Sequence, residues 1–371
     1  MLMTLKSREQ FDDYLSSGQF GDSDYLTKNC LILYDNLAEL LSTRFRLVVP
    51  KPSSVSNTFD RILCRRAIDF AFAQLQQEHQ KTPAEHLTKL VKFIEHSSRD
   101  ANSAIAVGPV SFLNVVSEEC ATADIRQTFA ASMRDEGASI YGISPTGYHI
   151  QQAEKAVELI SQIMPSTFHG TLNMAPTAVI VKGGISSAYI NENPNAFFLN
   201  DTQFDDVLLL AETLLHEALH EKMASIRLTS NLLRPAYDDI TSEDAGDVLV
   251  PWPHSQSPRS WSFARALAAY HVYVHTSALY LLAMHDDGTR EGPNDILARL
   301  NLHFERANYL QNALTCDRCL AHADADAMDF LDWILFALGE IKRGAEEIAG
   351  ASFTYRSWDP KTIRADADAG A

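Results

Sequence analysis

LLLAETLLHEALHEKMASIRL, residues 208–228, decides how the rest of the chain is read. Its apolar residues recur at intervals of three and four, which predicts one long helix over roughly 205–228. His216 and His220 lie four apart on that helix, on one face and about one turn from each other. Both imidazoles can therefore reach a single metal ion. Glu217 directly follows the first histidine, placed to contact a metal-bound water or to orient a ligand. His-Glu-x-x-His also arises by chance on ordinary helices. Here it follows an expected strand and sits inside an apolar helix, which is the context a metal site needs.

Upstream, TAVIVK (177–182) is rich in β-branched residues, and AFFL (196–199) is a second short apolar strand. Gly183-Gly184, then SSAYI, then the turn-forming Asn193, Pro194 and Asn195 separate the two. A small sheet is thus expected to deliver the chain into the central helix. The first ~165 residues read as mostly helical, with amphipathic runs at 58–80, 82–100 and 147–164. Thr82, Pro83 and Glu85 supply an N-cap, a proline at N1 and a glutamate at N3. Downstream, 231–260 reads as a loop-rich insertion with Pro235, Pro251, Pro253 and Pro258. Helices are expected at about 261–284, 292–312 and 325–349, and the Ala/Asp-rich tail reads as disordered. The fold class is mainly α with a small β-sheet (α+β). Three regions follow: a helical 1–165, a metal-binding core at 166–285 and a helical 286–371, within what can be one compact domain.

Composition narrows the function classes. Of 371 residues, 46% are hydrophobic and 21% charged, enough apolar material for a substantial core and too much for a disordered chain. Lys and Arg number 31 against 48 Asp and Glu, a net charge of -17. That balance argues against general nucleic-acid or anionic-membrane binding, which needs clustered positive charge. No run approaches the ~18 apolar residues of a spanning helix. The N-terminus lacks the apolar stretch of a signal peptide, and five sparse cysteines suit a reducing compartment. A cytoplasmic protein is expected.

Two histidines do not complete a catalytic site, which usually takes three protein ligands and leaves a position for water or substrate. His271 and His275 are four apart on the next long helix. A helix packed across the HExxH helix places only one of them at metal distance, since the next turn lies ~5.4 Å further along its axis. His271 is the choice, since Ala268-Ala269 before it lets helices approach closely, with His275 beside it. Glu243 is the carboxylate alternative, and His254 a weaker one. Cys316 and Cys319, with His322 nearby, lack a second cysteine pair and read as two buried helical cysteines. ADADAMD (323–329) lacks the glycine and closing glutamate of a calcium loop and reads as a helix start.

LLHEALHEKM, the Val250-Pro251-Trp252 turn and the histidine-bearing ALAAYHVYVH helix together resemble the HExxH-motif peptide-modification family encoded with ribosomally made peptides. The resemblance covers about 190–285. It implies a zincin-like active helix and an Fe(II)- and 2-oxoglutarate-dependent β-hydroxylation of a precursor peptide. His216, His220 and His271 would then hold the iron, with Glu217 beside it. An all-histidine set departs from the usual two-His-one-carboxylate triad. The distal carboxylate of 2-oxoglutarate would want an arginine fork, for which Arg259 and Arg265 are the candidates and Arg227 lies on the face of His220. Two alternatives stand beside this. With Zn(II) on the same ligands, Glu217 acts as general base of a metallopeptidase. A metal-stabilised binding protein would instead close its site with a fourth ligand.

Overall fold

The structure, a computed structural model, describes residues 7–55, 58–76, 104–114, 141–184, 187–190, 193–237, 247–252, 259–285 and 292–363. The expected helix at 82–100, Glu243, His254 and the Ala/Asp-rich tail from residue 364 lie outside the described residues. The fold is mainly α with a small mixed sheet and a separate two-stranded ladder.

Two compact units divide the chain. One comprises Met1–Gly21, Ile163–Thr167 and Ile226–Ala371, the other Asp22–Gln162 and Phe168–Ser225. They draw on different segments from the three regions expected along the sequence. Helix α1 (Arg8–Ser16) opens the first unit. The second takes α2 (Ser23–Phe45), α3 (Thr58–Gln76), β1 (Ala104–Val107), β2 (Val110–Leu113) and β3 (Tyr141–Ile143). Apart from residues 163–167, it also holds α4 (Gly147–Ile163), α5 (Pro165–Met174), β4 (Thr177–Lys182), β5 (Ser187–Tyr189) and β6 (Ala196–Asn200). Helix α6 (Val207–Thr229) belongs to the second unit through Ser225. The first unit is completed by β7 (Val248–Val250), β8 (Arg259–Trp261), α7 (Phe263–Ala283), α8 (Pro293–Leu314) and α9 (Ala325–Ala349).

In the second unit the strands run β1-β2-β4-β6-β5, with β3 paired to β4. β2, β4 and β6 are parallel, and β5 closes the edge antiparallel to β6. Alternation on β4 and β6 explains their unbroken apolar runs. Ala178, Ile180, Phe197 and Leu199 enter a core with Ile160 of α4 and Leu210, Leu214 and Ala218 of α6. Val179, Val181, Ala196 and Phe198 face the other way and pack with Ile62 of α3. A sheet covered on both faces needs hydrophobic residues at every position, not at alternate ones.

The N-terminal segment is less uniformly helical than its composition suggests, since it contributes β1, β2 and β3. Ala104–Val107 and Val110–Leu113 are two short β runs joined through Gly108-Pro109. Gly108 has φ +56, and a Cβ there would meet Val157 Cγ1 at 2.9 Å, so glycine suits both the backbone and the space.

Helix α7 is apolar nearly all round, and its buried residues run almost without break from Phe263 to Ala283. Such a helix belongs in the middle of a bundle, and α7 packs against α8 and α9. The segment 231–260, expected to be loop-rich, includes a ladder in which Val248 faces Trp261 and Val250 faces Arg259. Its short VLV run is β-branched enough to pair once a partner strand is near. Trp252 of the Pro-Trp turn is buried against the rings of Trp261, Tyr273 and Tyr309. Asp324 caps α9 through the Ala325 amide, so ADADAMD does begin a helix. Of the two cysteines expected to be buried, Cys319 is, while Cys316 is exposed at the N-cap of a single turn, Asp317–Leu320.

Candidate metal centre

Asn200 ends β6 and accepts the Thr202 amide at 3.0 Å, turning the chain through one 3-10 segment, Asp201–Asp205, into α6. Apolar residues at 210, 214, 215, 218 and 219 anchor α6 in the second unit and leave His216 and His220 partly exposed. The two imidazoles lie with ring centroids 5.0 Å apart and planes at 64°. Consecutive turns have thus brought the rings close enough to present nitrogens to one ion.

Each neighbouring polar group has a definite task. Glu212, one turn before His216, places Oε1 3.7 Å from its Nδ1. That is an ion-pair distance when the ring is protonated. Glu217 is 3% exposed, and its Oε1 accepts the Ser187 hydroxyl at 2.6 Å. Burial pushes its carboxyl above the usual range and Glu212 adds to this, while His216 and the Ser187 hydrogen bond pull the other way. Tyr189 stacks on His220, centroids 6.2 Å apart and planes at 13°.

Behind the histidines lies a buried ion pair. Glu221 Oε1 accepts Arg65 Nη1 at 2.7 Å, and its Oε2 accepts Tyr189 OH at 3.0 Å and the Asn195 amide at 2.8 Å. Asn195 can aim its amide there because it adopts φ +61, a left-handed conformation that asparagine tolerates better than most residues. Burial alone would depress the Arg65 guanidinium, but the adjoining Glu221 carboxylate holds it above its ordinary value. Burial also pushes the Tyr189 phenol well up, and Glu221 adds to this, so it donates as a neutral hydroxyl.

Ser187, Tyr189, Glu212, Glu221 and Arg65 are absent from the residues singled out by sequence. Two signals point to them in retrospect. Ser187 and Tyr189 are two apart on a strand, hence on one face. Glu217 and Glu221 are four apart on the helix that carries the histidines.

The other expected site residues belong to the first unit. His271 and His275 are wholly buried on α7, with rings 4.4 Å apart. His271 lies against Phe330 and Trp333 of α9, and its carbonyl faces His275 Nδ1 at 2.8 Å. Arg265 is exposed, with its guanidinium over the Trp261 ring at 5.3 Å. Arg259 stands on β8, and Arg227 in the last turn of α6. Among the described residues, no group of three or more His, Cys, Asp and Glu is arranged to hold a metal ion. The part-exposed pair on α6 fits the nitrogen share of an Fe(II) or a Zn(II) set. No helix among the described residues is long and apolar enough to cross a membrane. No protein-family model matches the chain, and no curated protein is similar to it.

Proposed function

We propose that the chain is a metal-dependent peptide-modifying enzyme of the cytoplasm that uses Fe(II) and 2-oxoglutarate to hydroxylate a β-carbon of a ribosomally made peptide. The observation that supports a metal enzyme is the pair His216 and His220 on successive turns, rings 5.0 Å apart, with the buried Glu217 next to His216 in the chain. The peptide substrate and the co-substrate rest on the resemblance of residues 190–285 to the HExxH-motif family. Fe(II), when bound, supplies oxygen activation at its open positions.

In this reading His216 and His220 each offer one ring nitrogen, and the Glu212 carboxylate 3.7 Å from His216 Nδ1 adds negative charge beside the site. Glu217 stays in its hydrogen bond with Ser187 and orients. His271 as third ligand, and Arg259 or Arg265 as partner of the 2-oxoglutarate carboxylate, carry over on their sequence positions alone. The test is turnover of a precursor peptide with Fe(II), oxygen and 2-oxoglutarate under mass spectrometry. One oxygen atom enters the peptide, which gains about 16 Da, and the other ends in succinate as carbon dioxide leaves.

One observation favours a second reading. A buried glutamate whose carboxyl burial raises above the usual range is a stronger base than an exposed one. With Zn(II) on the same histidines, Glu217 would deprotonate a water for peptide-bond hydrolysis. Cleavage of the peptide with Zn(II) and without 2-oxoglutarate would select that reading.

A further inference from the structure

A cavity of about 220 Å³ opens within the second unit, and its lining includes Arg61 and Arg65 of α3, Asn173, Asn195, Leu31 and Met174. The two arginines are four apart and share a helical face. Arg65 has a side chain only 8% exposed, and its Nη1 is engaged by Glu221 and by Asn195 Oδ1, each at 2.7 Å. Its Nε, and that of Arg61, are buried and carry no hydrogen bond among the described residues. A buried charged donor without an acceptor is costly, so such groups are normally satisfied. None of the described lining residues is acidic. The charge of Arg65 is already met by Glu221, so Arg61 supplies the charge and both Nε–H groups supply the donors that an anion would take here.

The remaining wall says which kind of anion. Leu31 and Met174 present hydrocarbon, and the volume is several times the ~30 Å³ share of one liquid water. Inorganic phosphate would leave that apolar wall unused. We propose that the cavity binds a small carboxylate with an aliphatic body. The carboxylate takes the Nε–H donors of Arg61 and Arg65, and its carbons lie against Leu31 and Met174. The site is independent of the metal reading, since none of its lining residues is a proposed metal ligand.

Isothermal titration of the full-length protein with glutarate tests this, because glutarate lacks the 2-oxo group that chelates metals. Binding of one glutarate per chain is expected. Arg61→Gln should weaken it at least about tenfold, the loss of one charge-assisted hydrogen bond, and Arg61→Lys should weaken it less. Arg65→Lys should also weaken it, while His216→Ala leaves it unchanged. Circular dichroism of each variant establishes that it is folded. No binding at millimolar glutarate, phosphate binding as tight as glutarate, or an unchanged affinity in Arg61→Gln overturns the proposal. Loss of binding in His216→Ala would place glutarate at the metal centre instead, and overturns it equally.

Discussion

Both units carry a pair of histidines four apart on a long helix, and the two pairs have been put in opposite surroundings. His216 and His220 are part-exposed on α6, with the carboxylates of Glu212 and Glu217 beside them. His271 and His275 are wholly buried on α7 against the rings of Phe330 and Trp333. The wider interiors differ in the same sense. The second unit buries the Arg65–Glu221 ion pair, and the first packs Trp252 edge-on against Trp261, Tyr273 and Tyr309. Helical spacing therefore brings two imidazoles together in either place. What differs is access and the charge at hand: the α6 pair is open to water beside carboxylates, and the α7 pair is enclosed among aromatic rings.

Metal content breaks or sharpens this contrast most directly. His216→Ala or His220→Ala should abolish bound metal and turnover while far-ultraviolet dichroism stays native. Full occupancy by elemental analysis in the double variant would remove the assignment. On α7, His271→Ala, as the proposed third ligand, should weaken metal binding far more than His275→Ala. The reverse order moves the ligand one turn along the helix, and loss of thermal stability alone in both leaves that pair to the core.

The next effect separates the two chemistries. If Glu217 is the general base of a peptidase, Glu217→Gln retains metal and loses about 10²–10⁴-fold in rate. In the hydroxylase reading the same variant retains most of its succinate production, because the glutamine amide can still accept the Ser187 hydroxyl.

Stability measurements compare the interiors themselves. Glu221→Ala strands the Arg65 charge in the second unit and should cost about 3–5 kcal/mol in denaturant unfolding. Phe330→Ala empties an aromatic site beside His271 in the first and should cost about 3–5 kcal/mol as a cavity. A loss below about 1 kcal/mol for Glu221→Ala would show that water reaches the ion pair.

The smallest effect is a pH slope in the first unit. Asp12 accepts the Ser166 amide at 2.6 Å and the Thr167 amide at 3.1 Å, yet burial raises its carboxyl above the ordinary 3.8. The folded state then takes up the proton before the unfolded state does. Asp12 contributes stability that grows as pH falls through the raised value toward 3.8, and loses it as pH rises. Asp12→Asn should flatten that part of the melting-temperature profile.

The helices that bear chemistry were legible because their periodicity is local. α6 was expected over roughly 205–228 and spans Val207–Thr229, and the start of α9 at Ala325 follows from its Asp324 cap. AIAV and VSFL, which become β1 and β2 on either side of Gly108-Pro109, carry no decisive local signal, because four-residue apolar runs can be read as either helix or strand. β7 and β8 lie among prolines, and pairing between such short strands depends on residues nine to thirteen apart in the chain.

By itself the amino-acid sequence determined the helical frame, the two-strand delivery into α6, and the placing of His216, Glu217 and His220 on neighbouring turns. All of these depend on residues within a few positions of one another, where 3.6- and 2-residue periods dictate which side chains share a face. Only the tertiary structure decided what those side chains meet. Ser187 reaches Glu217 across 30 residues, and Arg65 reaches Glu221 across 156. Contacts of that span have no local signature, because any buried carboxylate can be satisfied by whichever donor the packing of strands and helices brings to it.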